Sequence, residues 1–217
     1  MKLETKDPWH REEIDLDYLP VSHESGLFAS KEVCWIWKNV KEYCDFQTVT
    51  EIGFNCGRGT AIILNMFDDV EVRSYDICIH PEAMLAAEII KEEFYDRFTF
   101  LPYGSFTAKL WHEQNVVKVK KTDLLFVDGG HKTPAILNDI DLAQQVGFEY
   151  ILFDDFDLSY MRGHCSEYLT EYEFVEEFFY TGAGSLHRGY YVSDDKHMSM
   201  GLYKRKGNIN GKEHDSR

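Results

Sequence analysis

The chain has 217 residues, 44% of them hydrophobic and 15% aromatic, with a formal net charge of −15. That length fits one domain with a large core, and the charge repels nucleic-acid backbones and anionic membranes. No stretch approaches the ~18 to 20 continuous apolar residues of a membrane span, and the charged start lacks the apolar core of a signal peptide, so a cytoplasmic protein is expected.

Residues 1–30 mix Pro8, Pro20 and Gly26 with acidic runs and read as an irregular cap. Val33, Trp37, Val40 and Cys44 then recur at helical spacing, which predicts a helix over 31–43 and an N-terminal unit of cap and helix over 1–46. Trp35 and Trp37 lie two apart, so a helix cannot turn both to the core; the second is expected under the cap or over a cofactor or partner. From 47 onward the pattern alternates. Strands are predicted at 48–52, 70–75, 98–101, 124–127 and 150–153, with helices at 60–67, 81–93 and 134–146 and a helix or loop at 106–115. Alternation at this spacing means a parallel sheet with helices on both faces. Beyond Asp157 the acidic run predicts a helix over 167–179, and two strand-like runs, 189–192 and 197–204, are close enough to pair antiparallel. The main domain is drawn at 47–206, and the polar residues 207–217 are expected to form a disordered tail.

The five cysteines form no Cys-x-x-Cys, and the nine histidines stand at no metal-ligand spacing with them, so reduced thiols and no structural zinc are expected. The basic runs at 118–121 and 204–206 are short and read as solvated segments.

The most informative stretch is Glu51-Ile52-Gly53-Phe54-Asn55-Cys56-Gly57-Arg58-Gly59-Thr60, a glycine-rich turn between a strand and a helix. Glycine lets backbone approach a bound molecule closely, and the helix that follows opens with unpaired N–H groups. The spacing Gly-x3-Gly-x-Gly does not fit the dinucleotide fingerprint Gly-x-Gly-x-x-Gly. With Glu51 two positions before the first glycine, it resembles motif I of the class I S-adenosylmethionine (SAM) methyltransferases, Asp/Glu-x-Gly-x-Gly-x-Gly, with Asn55 in place of the middle glycine. The resemblance implies a doubly wound, mostly parallel seven-stranded α/β sheet ending in an antiparallel pair. It places SAM along Glu51, Gly53, Asn55, Gly57, Gly59 and Thr60. Asp76, 23 positions after Gly53 at a strand end, would accept hydrogen bonds from the ribose, and Gly104 and Ser105 would line the adenine pocket.

Two more strand ends are acidic: Val127-Asp128-Gly129-Gly130-His131 and Phe153-Asp154-Asp155. Three carboxylates on one rim would repel one another and favour a cation, and all-oxygen ligation suits Mg²⁺ or Ca²⁺ rather than zinc. The same positions match the metal aspartates of the metal-dependent O-methyltransferases of catechol and macrocin type, which implies Mg²⁺ at Asp128, Asp154 and Asp155. His131 stands where the catechol enzymes carry a lysine base, and a histidine can take a hydroxyl proton near neutral pH; the alternative is that it caps the following helix. Asp128 is assigned a catalytic as well as a metal role, and Lys132 is a weaker candidate.

The function implied is SAM-dependent methylation of a hydroxyl on a small molecule, a sugar or phenol. The expected partner is that small-molecule substrate, with no nucleic acid and no membrane, and a homo-oligomer is left open. The alternatives are a non-enzymatic binding protein on the same fold and a nicotinamide-dependent oxidoreductase.

Overall fold

The computed structural model describes residues 14–21, 31–114, 119–181, 186–187, 190–191 and 197–207. Its elements are α1 (Lys31–Cys44), β1 (Thr48–Ile52), α2 (Arg58–Met66), β2 (Glu71–Tyr75), α3 (Glu82–Glu93), β3 (Phe98–Leu101), α4 (Ser105–Glu113), β4 (Leu124–Val127), α5 (Thr133–Val146), β5 (Tyr150–Phe153), α6 (Ser159–Tyr168), β6 (Tyr172–Thr181), β7 (Leu186–His187), β8 (Tyr190–Tyr191) and β9 (His197–Arg205). The expected tail, Gly207 apart, and most of the expected cap lie outside the described residues.

β4 and β5 are apolar at every position because each is buried on both faces. Along β4, Leu124 and Phe126 join the core under α1, α2 and α3, whereas Leu125 and Val127 join the core under α4, α5 and α6. Tyr150 and Leu152 of β5 split from Ile151 and Phe153 in the same way. Trp37 is buried against Phe46 and Phe126. Trp35 is 53% exposed and meets Phe178 edge-on. Among the described residues, no helix is long and apolar enough to cross a membrane.

The sheet has seven strands in the order β3-β2-β1-β4-β5-β9-β6. The first five are parallel, and β9 runs antiparallel to both β5 and β6. The expected fold class therefore holds, but the antiparallel pair is built differently. Residues 172–181 form β6, where a helix was expected over 167–179, and α6 lies earlier, over Ser159–Tyr168. Phe174, Val175, Phe178 and Phe179 favour a pleated surface, and a bulge between Phe174 and Glu176 shifts the register. That extra residue breaks the two-residue alternation and leaves only the acidic run to read.

Strand order reverses between β1 and β4, so the chain leaves these two strands in opposite directions and a crevice opens at their carboxyl ends. Gly53 and Asp128 sit side by side there: a Cβ on Gly53 would lie 1.9 Å from the Asp128 carbonyl oxygen.

Candidate functional site

A cavity of about 700 Å³ occupies this crevice, within the range of small-molecule sites. Three loops build it. After β1, Gly53 has φ +95 and donates its N–H to Tyr75 O at 2.9 Å, while Asn55, at φ +47, donates its N–H to Asp76 Oδ2 at 2.8 Å. Asp76 Oδ1 accepts the Cys78 N–H at 2.6 Å, so the acid after β2 is fixed by two backbone donors while facing the cavity.

Glu51 plays another part. It is 1% exposed, lies beneath the loop and accepts from the Thr60 hydroxyl, which also meets Ser74 Oγ at 2.6 Å. A Cβ on Gly59 would fall 2.4 Å from Glu51 Oε1, so that glycine makes room for the buried acid. Burial pushes the Glu51 carboxyl up to about 7, against hydrogen bonds from Ser74 and Thr60 that lower it. Gly57, at φ +74, directs its missing side chain at Ile90 and Phe54. The cavity is lined by Gly53, Asn55, Gly59, Asp76, Gly104 and Ser105; Glu51, Gly57 and Thr60 stand behind it.

The acidic strand ends converge as expected, with Asp128, Asp154, Asp155 and His131 all on the cavity wall. Burial first, then the charges of Asp154 and Asp155, hold the Asp128 carboxyl well above the usual range. Burial and Asp155 push Asp154 up to about 7, and the Tyr180 hydroxyl donates to Asp154 Oδ1 at 3.0 Å. Asp155, 3% exposed and at φ +52, faces His131 Nε2. The N-cap residue of α5, Lys132, makes no side-chain cap hydrogen bond. Among the described residues, no group of three His, Cys, Asp or Glu side chains is arranged to hold an ion. Asp154 is directed to Tyr180 and Asp155 to His131.

Two cavity features escaped the sequence reading. Ile77, Ile79 and Phe106 are apolar side chains at the mouth that stay largely exposed. Asp139 of α5 is 2% exposed and lines the cavity. Its signal was present: Ile136, Asp139, Ile140 and Ala143 fall on one face at helical spacing, and all are buried.

Residues 50–156 match the family model described as a methyltransferase domain. Comparison with curated proteins finds no match. Among solved structures, the chain is similar to precorrin-6y C5,15-methyltransferase from Geobacter metallireducens GS-15, at 13% identity and TM-score 0.58 over 88% of this chain and 96% of that one. It is also similar to an rRNA methylase from Streptococcus thermophilus, at 11% identity and TM-score 0.53 over 82% and 99%. A third is a protein from Klebsiella pneumoniae provisionally assigned as an O-methyltransferase, at 12% identity and TM-score 0.56 over 92% and 87%. At such identities the likeness carries the fold and not the substrate. The match over residues 50–156 and the sheet order together liken this chain, in fold, to proteins with a methyltransferase domain.

Proposed function

We propose that the protein methylates a hydroxyl of a small molecule, of sugar or phenol type, and does so with a histidine base rather than a metal ion. The observation that carries this reading is one cavity at the strand-order reversal, lined at once by Asp76 and by the His131–Asp155 pair. The residues present fit SAM. The volume suffices, Gly53 and Gly59 let backbone come close, and the rim carboxylates offer negative charge to a cationic ligand.

SAM, when bound, supplies a methyl group on a sulfonium whose positive charge is lost in the transfer. Asp76 is fixed by the Asn55 and Cys78 N–H groups so that its remaining lone pairs accept from the ribose hydroxyls. Asp128 faces the reacting end and, protonated more readily than an ordinary aspartate, hydrogen-bonds the acceptor oxygen. His131 takes the hydroxyl proton, and Asp155 holds the ring and balances the imidazolium that forms. Orientation of donor and acceptor within the one cavity supplies much of the rate.

A small acceptor is supported by charge. At −15 the chain repels a phosphate backbone, and in the two short basic runs Lys120 pairs with Glu71 and Arg205 with Glu171.

The test is calorimetry with SAM, followed by a methyl-transfer screen over hydroxylated small molecules, with His131→Ala and Asp155→Asn as variants. SAM binding by all three proteins, with the rate of His131→Ala down on the order of 10²-fold, is the expected result. A His131→Ala enzyme at parental rate from pH 6 to 9 would remove the proposed base, and failure of the parent to bind SAM would remove the reading altogether.

A further inference from the structure

Asp154 and Asp155 follow one another at the end of β5, yet each takes a partner from a different element. Asp155 stands at φ +52, a left-handed conformation that few residues other than glycine and asparagine tolerate, and its carboxylate faces His131. The Phe156 N–H, donating to Ser199 O at 2.8 Å, ties this turn to β9. Asp154 is directed the other way, and its Oδ1 accepts from the Tyr180 hydroxyl at 3.0 Å. Both acids stand on the cavity wall, and the charge of each opposes that of the other. The turn and the tyrosine hold apart two neighbouring groups that would otherwise compete for the same histidine.

Tyr180 comes from the edge of the sheet. It lies on β6, the outermost strand, and pairs with Met198 of β9. Directly opposed residues of an antiparallel pair share a face; both side chains are buried in the core under α1, and Met198 also reaches the cavity. Packing there asks for an apolar ring, which Phe178 of the same strand supplies in the same core. A hydroxyl taken into such surroundings costs free energy unless it is bonded. Its bond to Asp154 commits Oδ1 to the core side and leaves the other oxygen for the cavity on whose wall Asp154 stands.

We infer that Tyr180 is a positioning residue for the reacting end: it holds Asp154 by Oδ1 so that the other oxygen meets a cationic group of the bound ligand, while Asp155 is left to His131. The inference rests on the SAM reading above and adds to it a residue from β6, outside the glycine turn and the acidic strand ends. A hydrogen bond between a cation and a carboxylate is stronger than one between neutral groups. It contributes most where the acid is already fixed, because little side-chain freedom is then lost on binding.

The experiment is calorimetry of the full chain at pH 8 with two ligands. S-adenosylhomocysteine is neutral at sulfur; in sinefungin a carbon bearing a protonated amine replaces the sulfonium and its methyl group. Parent protein should prefer sinefungin by about tenfold or more. Tyr180→Phe should lower that preference at least about threefold while affinity for S-adenosylhomocysteine stays within about twofold; a purely structural Tyr180 would weaken both ligands by the same factor. Asp154→Asn keeps the shape and an oxygen for the Tyr180 hydroxyl, and should lower the preference by at least as much. Tyr180→Phe added to Asp154→Asn should then change nothing further, because one residue acts through the other. Thermal unfolding checks that each variant is folded. An unchanged ratio in folded Tyr180→Phe or in Asp154→Asn, additive losses in the double variant, or a parent with no preference overturns the inference while leaving the SAM reading in place. A parent that binds neither ligand overturns both.

Discussion

Glu51 is the acid of the glycine-turn motif, yet it stands beneath the cavity, and replacing it separates support of the loop from contact with a ligand. Its carboxyl moves from an ordinary 4.5 to about 7 because burial disfavours the charged form. Between those values the folded protein holds a proton that the unfolded chain has released. Stability therefore falls as pH rises from 4.5 through about 7 and is level above it. At ~1.36 kcal/mol per pH unit, keeping Glu51 ionised at pH 8 costs about 3 kcal/mol. Glu51→Gln removes that charge and keeps an oxygen for the Thr60 hydroxyl. The variant should match the parent near pH 5 and exceed it by about 2 to 3 kcal/mol at pH 8, a rise in Tm on the order of 4 to 10 °C for a chain of this size. Thermal unfolding of both proteins from pH 5 to 8.5 reads the difference curve, in which contributions from Asp139 and Asp154 cancel. SAM affinity by calorimetry should stay within a few-fold, since Glu51 does not line the cavity. Parallel unfolding curves across the range would refute a desolvated carboxyl, and a large loss of SAM affinity would restore Glu51 to ligand contact.

Asp154→Asn should likewise stabilise the protein at pH 8 relative to pH 5, by the same sign argument, because the Asp154 carboxyl is raised to about 7; a stability difference independent of pH would contradict it. Gly57→Ala should destabilise by about 1 to 3 kcal/mol, from the strain of φ +74 and contact with Ile90 and Phe54, with SAM affinity within a few-fold in the folded fraction. Gly53→Ala, whose Cβ would meet the Asp128 carbonyl oxygen at 1.9 Å, should leave little folded protein in denaturant titration. Asp76→Asn should weaken SAM by about 1 to 3 kcal/mol through loss of charged acceptance, and an unchanged Kd would place the ribose elsewhere. Excess chelator should leave methyl transfer at its full rate; activity lost to chelator and restored by Mg²⁺ would return the strand-end aspartates to metal binding.

What the residues disclosed depended on how many constraints acted on each segment. β4 and β5 are apolar at every position because two cores claim alternate residues, so the runs at 124–127 and 150–153 stood out with their correct bounds. The glycine turn was legible because Gly53, Asn55 and Gly57 all take positive φ, which few residue types tolerate. β6 was misread because its bulge removed the periodicity that announces a strand. The Tyr180–Asp154 and His131–Asp155 contacts span loops and strands without any local pattern, so spacing could show that the acids share a rim but not which partner each one takes.

That distinction decides the chemistry. Three carboxylates at one sheet edge, read from strand ends alone, suggest a cation as their common counterion. With Tyr180 on Asp154 and His131 on Asp155, the same residues form two separate pairs beside Asp128, the arrangement from which the proposed proton transfer is argued. The fold is shared with proteins described as acting on precorrin and on rRNA, so it restrains the acceptor very little. Selectivity has to come from side chains that the shared scaffold leaves free to vary. In this chain the paired acids on the cavity wall are side chains of that kind, and exchanging them should change which molecule is methylated while the sheet that carries them stays as it is.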